Sequence, residues 1–341
     1  MIKNKLFLLC AVVSILINSC KDTSVSRHLL DLFDVKEESV VESIFPDLKN
    51  DVLNPEMIVT DSDNLYIYES KADTLVSVLT KNGVLSRKIL LKGQGAYEVV
   101  YVNCMGFAAG KCYFMDFSQK KVLFWDNDSK KFFADTALNS YVLNHQITTT
   151  LGIDDDLRFF ANVGSDKRFS CKSSDTVVQF GQIDDYRGVN AEQISWGLQG
   201  PLVINPIRKR LFWVSWFSDA YDVYDYTSLD NVVKIKSELT YLASNELDEN
   251  MGALNITCNN DYVFVLYSGK SDRGVMDQLY TEEEEMLSDN ILVFDWDGTP
   301  VKVIHTNHLL RFIHFDIYES QLYGIELGDD SEYELCKIPV K

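Results

Sequence analysis

Few side chains in this sequence combine the residue types and the spacing that a metal site needs. His305 and His308 are three residues apart, which on a helix would present both imidazole rings to one ion. The surrounding residues predict a loop between repeats, and no third ligand is identifiable. Asp154-Asp155-Asp156 lacks the glycine and the distal glutamate of an EF-hand loop, and it falls where a hairpin turn is expected. We predict solvent-exposed loops at both places and no metal site.

Phosphate-binding and nucleophilic motifs are also missing. Gly93 and Gly95 would hold a phosphate only if a helix followed them, because the first amides of that helix provide the donors. Residues 99–102 are Val-Val-Tyr-Val and predict a strand, so the two glycines indicate a turn. No Gly-X-Ser-X-Gly motif is present. The sequence predicts no catalytic residue and no cofactor.

Candidate binding residues are aromatic or basic and lie at strand ends or in a long insertion. Trp196, Trp213 and Trp216 cluster in one repeat, and Trp216 lies at a predicted strand end. An indole ring that is exposed at a strand end can stack on a sugar or contact a peptide. The insertion covers residues 268–290, and long insertions in compact folds are often lids or partner sites; a solvated excursion is the alternative. The candidate ligand- or partner-binding residues are Trp216, Tyr267, Lys270, Arg273 and Tyr280.

The elements that would position these residues follow a repeat. Six times, a polar turn leads into a short apolar strand that carries an aromatic marker, and a second strand follows, often ending in Asp and a turn. Asn82-Gly83 and Asp297-Gly298 are strong hairpin signals. Strand-rich units of this length fit the blades of a β-propeller. The markers are Tyr66, Tyr113, Phe159, Phe212, Phe264 and Tyr323.

Six markers predict an all-β fold: a single six-bladed β-propeller of four-stranded antiparallel blades. A helical solenoid is excluded, because no repeat shows a period of 3.6 residues. Residues 28–45 alternate as a strand does, and the last repeat ends near Val340. We expect this N-terminal strand to complete the last blade and close the ring, because closure removes open sheet edges.

The N-terminus predicts export. Two lysines precede an apolar run over residues 6–17, which is shorter than the roughly 20 residues that a membrane-spanning helix needs. A small residue, Ser19, then precedes Cys20, as at a signal cleavage site. We predict three segments, a signal peptide, a leader that begins with Cys20 and the propeller, over residues 1–19, 20–27 and 28–341.

Charge and cysteine content limit the partners. The formal net charge is −19, and it becomes −21 without residues 1–19, which hold two lysines and no acidic residue. Nucleic acid is bound through Lys and Arg, so we exclude it as a partner. Five cysteines remain in the predicted propeller with no CxxC pair, so no zinc spacing is present. One disulfide, with Cys104 and Cys112 the nearest pair, and buried free thiols are both open.

Several motifs resemble known families. Ile17, Ser19 and Cys20 resemble the lipobox of bacterial lipoproteins, which implies that Cys20 is acylated and becomes the N-terminus. Residues 1–19 would then be a lipoprotein signal peptide and residues 20–27 a lipidated leader. An ordinary secretory signal that happens to end near a cysteine is the alternative. Together with the six strand pairs, this lipobox is similar to the TolB-like six-bladed propeller lipoproteins of Bacteroidetes, which are loosely related to NHL-type propellers. Residues 93–98 resemble the GxGPGE turn of that family, with Ala-Tyr in place of Pro-Gly, and residues 265–270 resemble its LYSGK segment. The resemblance covers nearly all of the mature chain and implies the fold, but no activity.

The resemblance also implies a place in the cell. A lipid anchor at Cys20 would attach the protein to the bacterial outer membrane, and Lys21-Asp22 resembles a signal for the cell surface, which favours the surface over the periplasmic face. The leading hypothesis is an envelope binding or scaffold protein that recognises a peptide, a glycan or a partner protein through one propeller mouth. The alternative is a metal-dependent hydrolase or lactonase with its ion on the propeller axis. A purely structural subunit with an apolar patch on a blade edge is a third possibility.

Overall fold

The structure is a computed structural model of the chain. It describes most of the predicted propeller domain, in the ranges 28–45, 51–108, 110–144, 147–154, 156–162, 167–174, 176–182, 194, 197–242, 250–271, 287–328 and 332–340.

The described residues form 24 strands, and 23 of them build six four-stranded antiparallel blades, because one long strand belongs to two blades. Two short strands precede the first blade, β1 (Lys36–Ser39) and β2 (Glu42–Ile44). From the axis outward, the first blade contains β3 (Met57–Thr60), β4 (Asn64–Tyr68), β5 (Thr74–Thr80) and β6 (Leu85–Leu91). The second contains β7 (Cys104–Ala108), β8 (Lys111–Asp116), β9 (Lys121–Asp126) and β10 (Lys131–Ala134). The third contains β11 (Ile147–Asp154), β12 (Leu157–Asn162), β13 (Lys167–Lys172) and β14 (Val177–Gln182).

The fourth blade contains β15 (Leu202–Asn205), β16 (Arg210–Val214), β17 (Asp219–Asp225) and β18 (Val233–Tyr241). The fifth contains β19 (Asn250–Cys258), β20 (Tyr262–Ser271), β21 (Ser288–Asp295) and the first part of β22 (Pro300–Asp316). The sixth contains the second part of β22, β23 (Gln321–Leu327), β24 (Tyr333–Ile338) and β2. Among the described residues, the helical elements with defined bounds are α1 (Thr136–Asn144) and two 3-10 helices, Leu29–Leu32 and Leu229–Asn231.

The long strand β22 belongs to two blades. Its first part pairs with β21, where His305 lies opposite Asn290, and its second part pairs with β23 from Leu310 onward. The last two blades therefore share one continuous sheet. The prediction of a loop around His305 and His308 is wrong, because both residues lie in β22. The strand continues through them since residues 301–316 contain no glycine or proline to turn the chain.

The ring is closed. The innermost strands β3, β7, β11, β15, β19 and the second part of β22 contact one another in cyclic order, and β22 also contacts β3. The outermost strand of the last blade is β2, whose Ser43 lies opposite Cys336 of β24. This confirms that the N-terminal strand completes the last blade. The structure adds β1, which pairs in parallel with β22 at the edge of the fifth blade and was not predicted.

The six aromatic markers all lie on the second strands of their blades. These strands are covered on both faces by the neighbouring blades, and every residue of β4 is buried. A strand buried on both faces reads as a continuous apolar run, which explains why the markers are visible in the sequence.

Acidic or amide residues at strand ends close many of the hairpins. The carboxylate of Asp295 accepts backbone N–H groups of Asp297 and Thr299, and Asp316 accepts those of Tyr318 and Glu319 in the same way. Side chains of this type make Asx turns, which explains the recurrent Asp after the strands.

Helix α1 connects the second and third blades and was not predicted. Asp135 caps it by accepting the backbone N–H of Leu138, 2.9 Å away. Leu138, Tyr141 and Val142 are buried on one side of the helix. Only three apolar positions carry the helical period, which is too few to stand out in a strand-rich sequence.

The thiols and the turn at Asp154 settle two further predictions. None of the five cysteines of the predicted propeller forms a disulfide within the described structure. Cys104 lies opposite Met115 and Cys112 opposite Phe107, so the nearest pair lies too far apart in its hairpin to bond. The hairpin turn after Asp154 is confirmed, but its side chain is buried and not exposed as predicted. Its carboxylate accepts hydrogen bonds from Lys209 Nζ at 2.8 Å and the Tyr226 hydroxyl at 3.1 Å.

No helix of the described part of the chain is long and apolar enough to cross a membrane.

Candidate functional site

A channel runs along the propeller axis between the innermost strands. It encloses about 560 Å³, within the range of small-ligand sites. All six blades contribute to its wall, with representative side chains from Val59, Phe107, Ile153, Ile204, Ile256 and Phe312.

The topology places the channel residues at two faces of the propeller. The face at which the innermost strands begin is called the start face, and the face at which they end is the end face. Asn103 precedes β7, and Trp216 lies between the second and third strands of its blade, so both are on the start face. Asn259 follows β19, and Tyr318 lies between the first and second strands of its blade, so both are on the end face.

The described lining of the channel contains no Asp, Glu, Lys or Arg, although the whole chain holds 51 acidic and 32 basic residues. A charge without a partner is costly to bury, so this lining suits an uncharged ligand. Its polar groups are amides, hydroxyls, thiols, one indole N–H and one imidazole, on Thr60, Asn103, Cys104, Tyr113, Asn205, Trp216, Asn255, Thr257, Cys258, Asn259, Asn260, His314 and Tyr318.

His314 is neutral at neutral pH. Burial lowers the pKa of its imidazole to about 4, although the nearby Asp316 carboxylate opposes the change. Its Nε2 atom forms a hydrogen bond with the Thr60 hydroxyl, 3.1 Å away, between the sixth and first blades. The one imidazole in the described lining therefore adds no charge to the channel.

Polar side chains of β19 join the fifth and sixth blades at the channel wall. The Asn255 Oδ1 atom accepts the backbone N–H of Ile313, and the Thr257 hydroxyl accepts that of Phe315, both at 2.9 Å. Sequence reasoning missed these residues. The alternation of Leu254, Asn255, Ile256 and Thr257 was the available signal, because alternate residues of a strand share one face.

Trp216, the first candidate residue, lines the channel at the start face. Its backbone is fixed on two sides: its N–H donates to the Gln199 carbonyl at 2.8 Å, and its carbonyl accepts the Gly252 N–H at 2.7 Å. The Ser215 hydroxyl further accepts the N–H groups of Phe217 and Ser218 within the same turn. A half-buried indole on a rigid turn is a preorganised surface for a ligand.

Tyr267, the second candidate, lies in the core and not at a mouth. It is fully buried, and its hydroxyl donates a hydrogen bond to the Asp219 carboxylate. Burial raises the pKa of the Asp219 carboxyl, whereas hydrogen bonds from Tyr267 and His28 oppose the rise. The same aromatic ring packs in one cluster with Leu29. This packing corrects its assignment as a ligand-contacting residue.

The remaining candidates are placed only in part. The backbone of Lys270 lies in β20, opposite Met251, and reaches the start face together with Trp216. Arg273, Tyr280 and Cys20 lie outside the described residues.

The glycine turn and the histidines have structural roles. The Glu98 Oε2 atom accepts the N–H of Gly95 at 2.8 Å, and a side chain at Gly93 would collide with the same carboxylate, which confirms a turn. His308 Nδ1 lies 3.0 Å from Oε2 of the buried Glu326. Within the described ranges, no three His, Cys, Asp or Glu side chains come close enough together to hold a metal ion.

Comparisons with known proteins agree with this architecture. Among solved structures, a Bacteroides fragilis protein named as exported is 12% identical, with a TM-score of 0.58 over 90% of this chain and 99% of its own. A member of the DUF4221 family from Bacteroides vulgatus is also 12% identical, with a TM-score of 0.51 over 90% of this chain and 98% of its own. At these identities the likeness shows the fold alone. No curated protein matches the sequence.

A family comparison carries more weight. The sequence model of the TolB-like six-bladed propellers matches residues 52–317, which is most of the chain. This match confirms the resemblance seen in the repeat and the glycine turn. The chain therefore belongs to the TolB-like six-bladed propeller family.

Proposed function

We propose that the protein is a lipid-anchored binding module of the bacterial envelope that holds an uncharged ligand in its axial channel. The observation that carries this proposal is the composition of the channel wall. In a protein with a net charge of −19, all six blades turn uncharged side chains to the axis. Such a wall accommodates neutral molecules and disfavours unpaired charges.

Export and anchoring complete the proposal. The lipobox ending in Cys20 supports acylation, and the Bacteroides protein named as exported supports a place in the envelope. Lys21-Asp22 supports display at the outer surface of the outer membrane. The protein would then bind its partner protein or ligand outside the cell.

The hydrolase alternative finds less support. An axial calcium or zinc ion in a propeller needs oxygen or nitrogen ligands that converge on the axis. The described channel wall offers one imidazole and no carboxylate. Binding is therefore the function that this geometry favours.

The test uses a form that starts at residue 21, which retains every described element because the described fold begins at His28. The probe is Nile red, an uncharged apolar dye, and its fluorescence gives the affinity. Leu254 lines the channel, and Leu254→Trp should obstruct it and weaken dye binding about tenfold or more. Val84 is exposed on an outer hairpin, so Val84→Trp is the matched control and should bind as the parent does.

Two results would contradict the proposal. One is a parent protein that does not bind the dye. The other is equal affinity of the Leu254→Trp and Val84→Trp forms, provided that circular dichroism shows both to be folded, because the dye would then be held outside the channel.

A further inference from the structure

We propose that the ligand of the axial channel is a neutral, oxygen-rich molecule, and specifically a short uncharged saccharide. This inference rests on the proposed function, and it adds the chemical class of the ligand. Three observations carry it: the direction of the asparagine side chains, the location of the aromatic rings, and the lack of charge in the described lining.

The asparagine amides of the channel present donors. The Oδ1 atom of Asn103 accepts the Phe117 N–H at 2.9 Å, and that of Asn259 accepts the N–H groups of Asp261 and Tyr262 at 2.8 and 2.6 Å. Because only the oxygen of a carboxamide can accept these bonds, the orientation of each amide is determined. Among the described residues, the NH₂ groups of Asn103 and Asn259 have no hydrogen-bond acceptor; Asn103 is exposed and Asn259 half-buried, so a ligand in the channel can reach these hydrogens.

A third amide lies between these two. Asn255 uses its oxygen for the Ile313 N–H, and its NH₂ group makes only a long contact of 3.5 Å to the Ile256 carbonyl. The start face, the middle and the end face of the channel each contribute one such donor. A ligand that fits must carry acceptor oxygens along its length.

Aromatic rings lie at both faces of the channel. Trp216 is half-buried on the start face, and Tyr318 is 59% exposed on the end face, where Ile317 is 61% exposed beside it. Rings with an apolar face and a polar tip suit ligands that are wet on one side and apolar on the other. A sugar ring has this character, with C–H groups on its face and hydroxyls at its edge.

A peptide fits this wall less well than a saccharide. Each peptide unit brings an N–H donor that must find an acceptor once it is buried. The oxygens of Asn103, Asn255 and Asn259 already accept backbone N–H groups. Sugar hydroxyls, ring oxygens and glycosidic oxygens accept from the amides, and the hydroxyls can rotate to donate to water or to Thr and Tyr.

The experiment is calorimetric titration of the form that starts at residue 21 with defined probes. The probes are a panel of neutral glucose, mannose and xylose hexamers, a galacturonic acid hexamer as the charged counterpart, and a neutral Ala-Ser-Gly hexapeptide with blocked ends. We expect at least one neutral saccharide to bind about tenfold or more tightly than the charged saccharide and the peptide.

The variants test the donors directly. Asn103→Asp and Asn259→Asp keep the oxygen that each turn needs and replace the NH₂ donor with a second oxygen. Each should weaken saccharide binding about tenfold or more, because ring and glycosidic oxygens only accept hydrogen bonds and a carboxylate cannot donate to them. Asn231→Asp adds the same charge on an exposed residue outside the described lining and should leave the affinity unchanged. Trp216→Ala should also abolish stacking, whereas Trp216→Phe should retain part of it.

The outcomes separate this inference from the proposed function. If the protein binds Nile red but none of the neutral saccharides in the panel, the saccharide inference is wrong and the channel remains a binding site. Preference for the peptide would overturn it in the same way. Saccharide affinity equal in the Asn103→Asp, Asn259→Asp and Asn231→Asp forms would overturn the role of the amides. Failure of both the dye and the saccharides would overturn both proposals.

Discussion

Lys81 and Asp316 form an ion pair between the first and sixth blades, and the Asp316 carboxylate is fully buried. Arg168 and Asp222 pair at 2.6 Å between the third and fourth blades, where the guanidinium also lies over the ring of Trp213. Buried charges of this acidic protein therefore join neighbouring blades, while the described channel wall carries none. The buried carboxylates of Asp316 and Asp222 each have a cationic partner, which lowers the cost of their burial.

His314 makes stability depend on pH. Its pKa is lowered from 6.5 to about 4 in the folded protein. In the unfolded chain the imidazole takes up its proton at about pH 6.5. Its contribution to stability is therefore fully present above pH 6.5 and is lost as the pH falls through 4, by roughly 1.4 kcal/mol per pH unit between these values.

Urea unfolding at pH 7.5 and pH 5 measures this dependence. The parent should lose more free energy of unfolding between the two pH values than His314→Gln, which keeps a partner for Thr60 but does not titrate. Equal losses in both proteins would show that His314 is protonated in the folded state.

At the scale of elements, the N-terminal segment fastens several blades. The 3-10 helix Leu29–Leu32 and Phe33 pack against the fourth and fifth blades, and the Phe33 ring meets that of Phe294 at 5.0 Å, edge to face. Strand β1 then extends the fifth blade, and β2 completes the sixth. The N-terminal segment therefore contacts three consecutive blades next to the point where the ring of blades closes.

Phe33→Ala should lower the free energy of unfolding by about 3–5 kcal/mol, because it removes a buried ring and leaves a cavity between blades. Val35, which is 54% exposed, provides the control, and Val35→Ala should change stability little. Chemical denaturation of both variants measures the two free energies of unfolding. A Phe33→Ala protein as stable as Val35→Ala would mean that the segment is not part of the core.

At the scale of the whole molecule, the proposal makes Cys20 the attachment to the membrane. Cys20→Ala should transfer the protein from the membrane fraction to the soluble fraction of cells that process lipoproteins, because no acyl chain can then be added. Cys104→Ala is the control, since Cys104 lies in β7 of the propeller, and it should remain with membranes. Retention of the Cys20→Ala protein with membranes would refute the lipid anchor.

Local sequence determined the strands, the number of blades and the closing N-terminal strand. The second strands are recognisable because burial on both faces demands an uninterrupted apolar run, as in β4, and the Asx turns leave an Asp at strand ends. These are requirements on neighbouring residues, so a single chain segment displays them. The family resemblance rests on the same local patterns.

Only the tertiary structure decided what the channel wall is made of. Asn103 and Asn259 lie far apart in the chain, and both reach the channel because ring closure turns the free edge of each innermost strand to the axis. The sequence suggested that Tyr267 is at the surface, but in the folded protein it is buried in one cluster with Leu29 of the 3-10 helix. The continuous strand β22 likewise depends on two partners at once, β21 and β23, whose positions no local pattern contains. Contacts between distant segments, and not the character of any one segment, determine which side chains a ligand can reach.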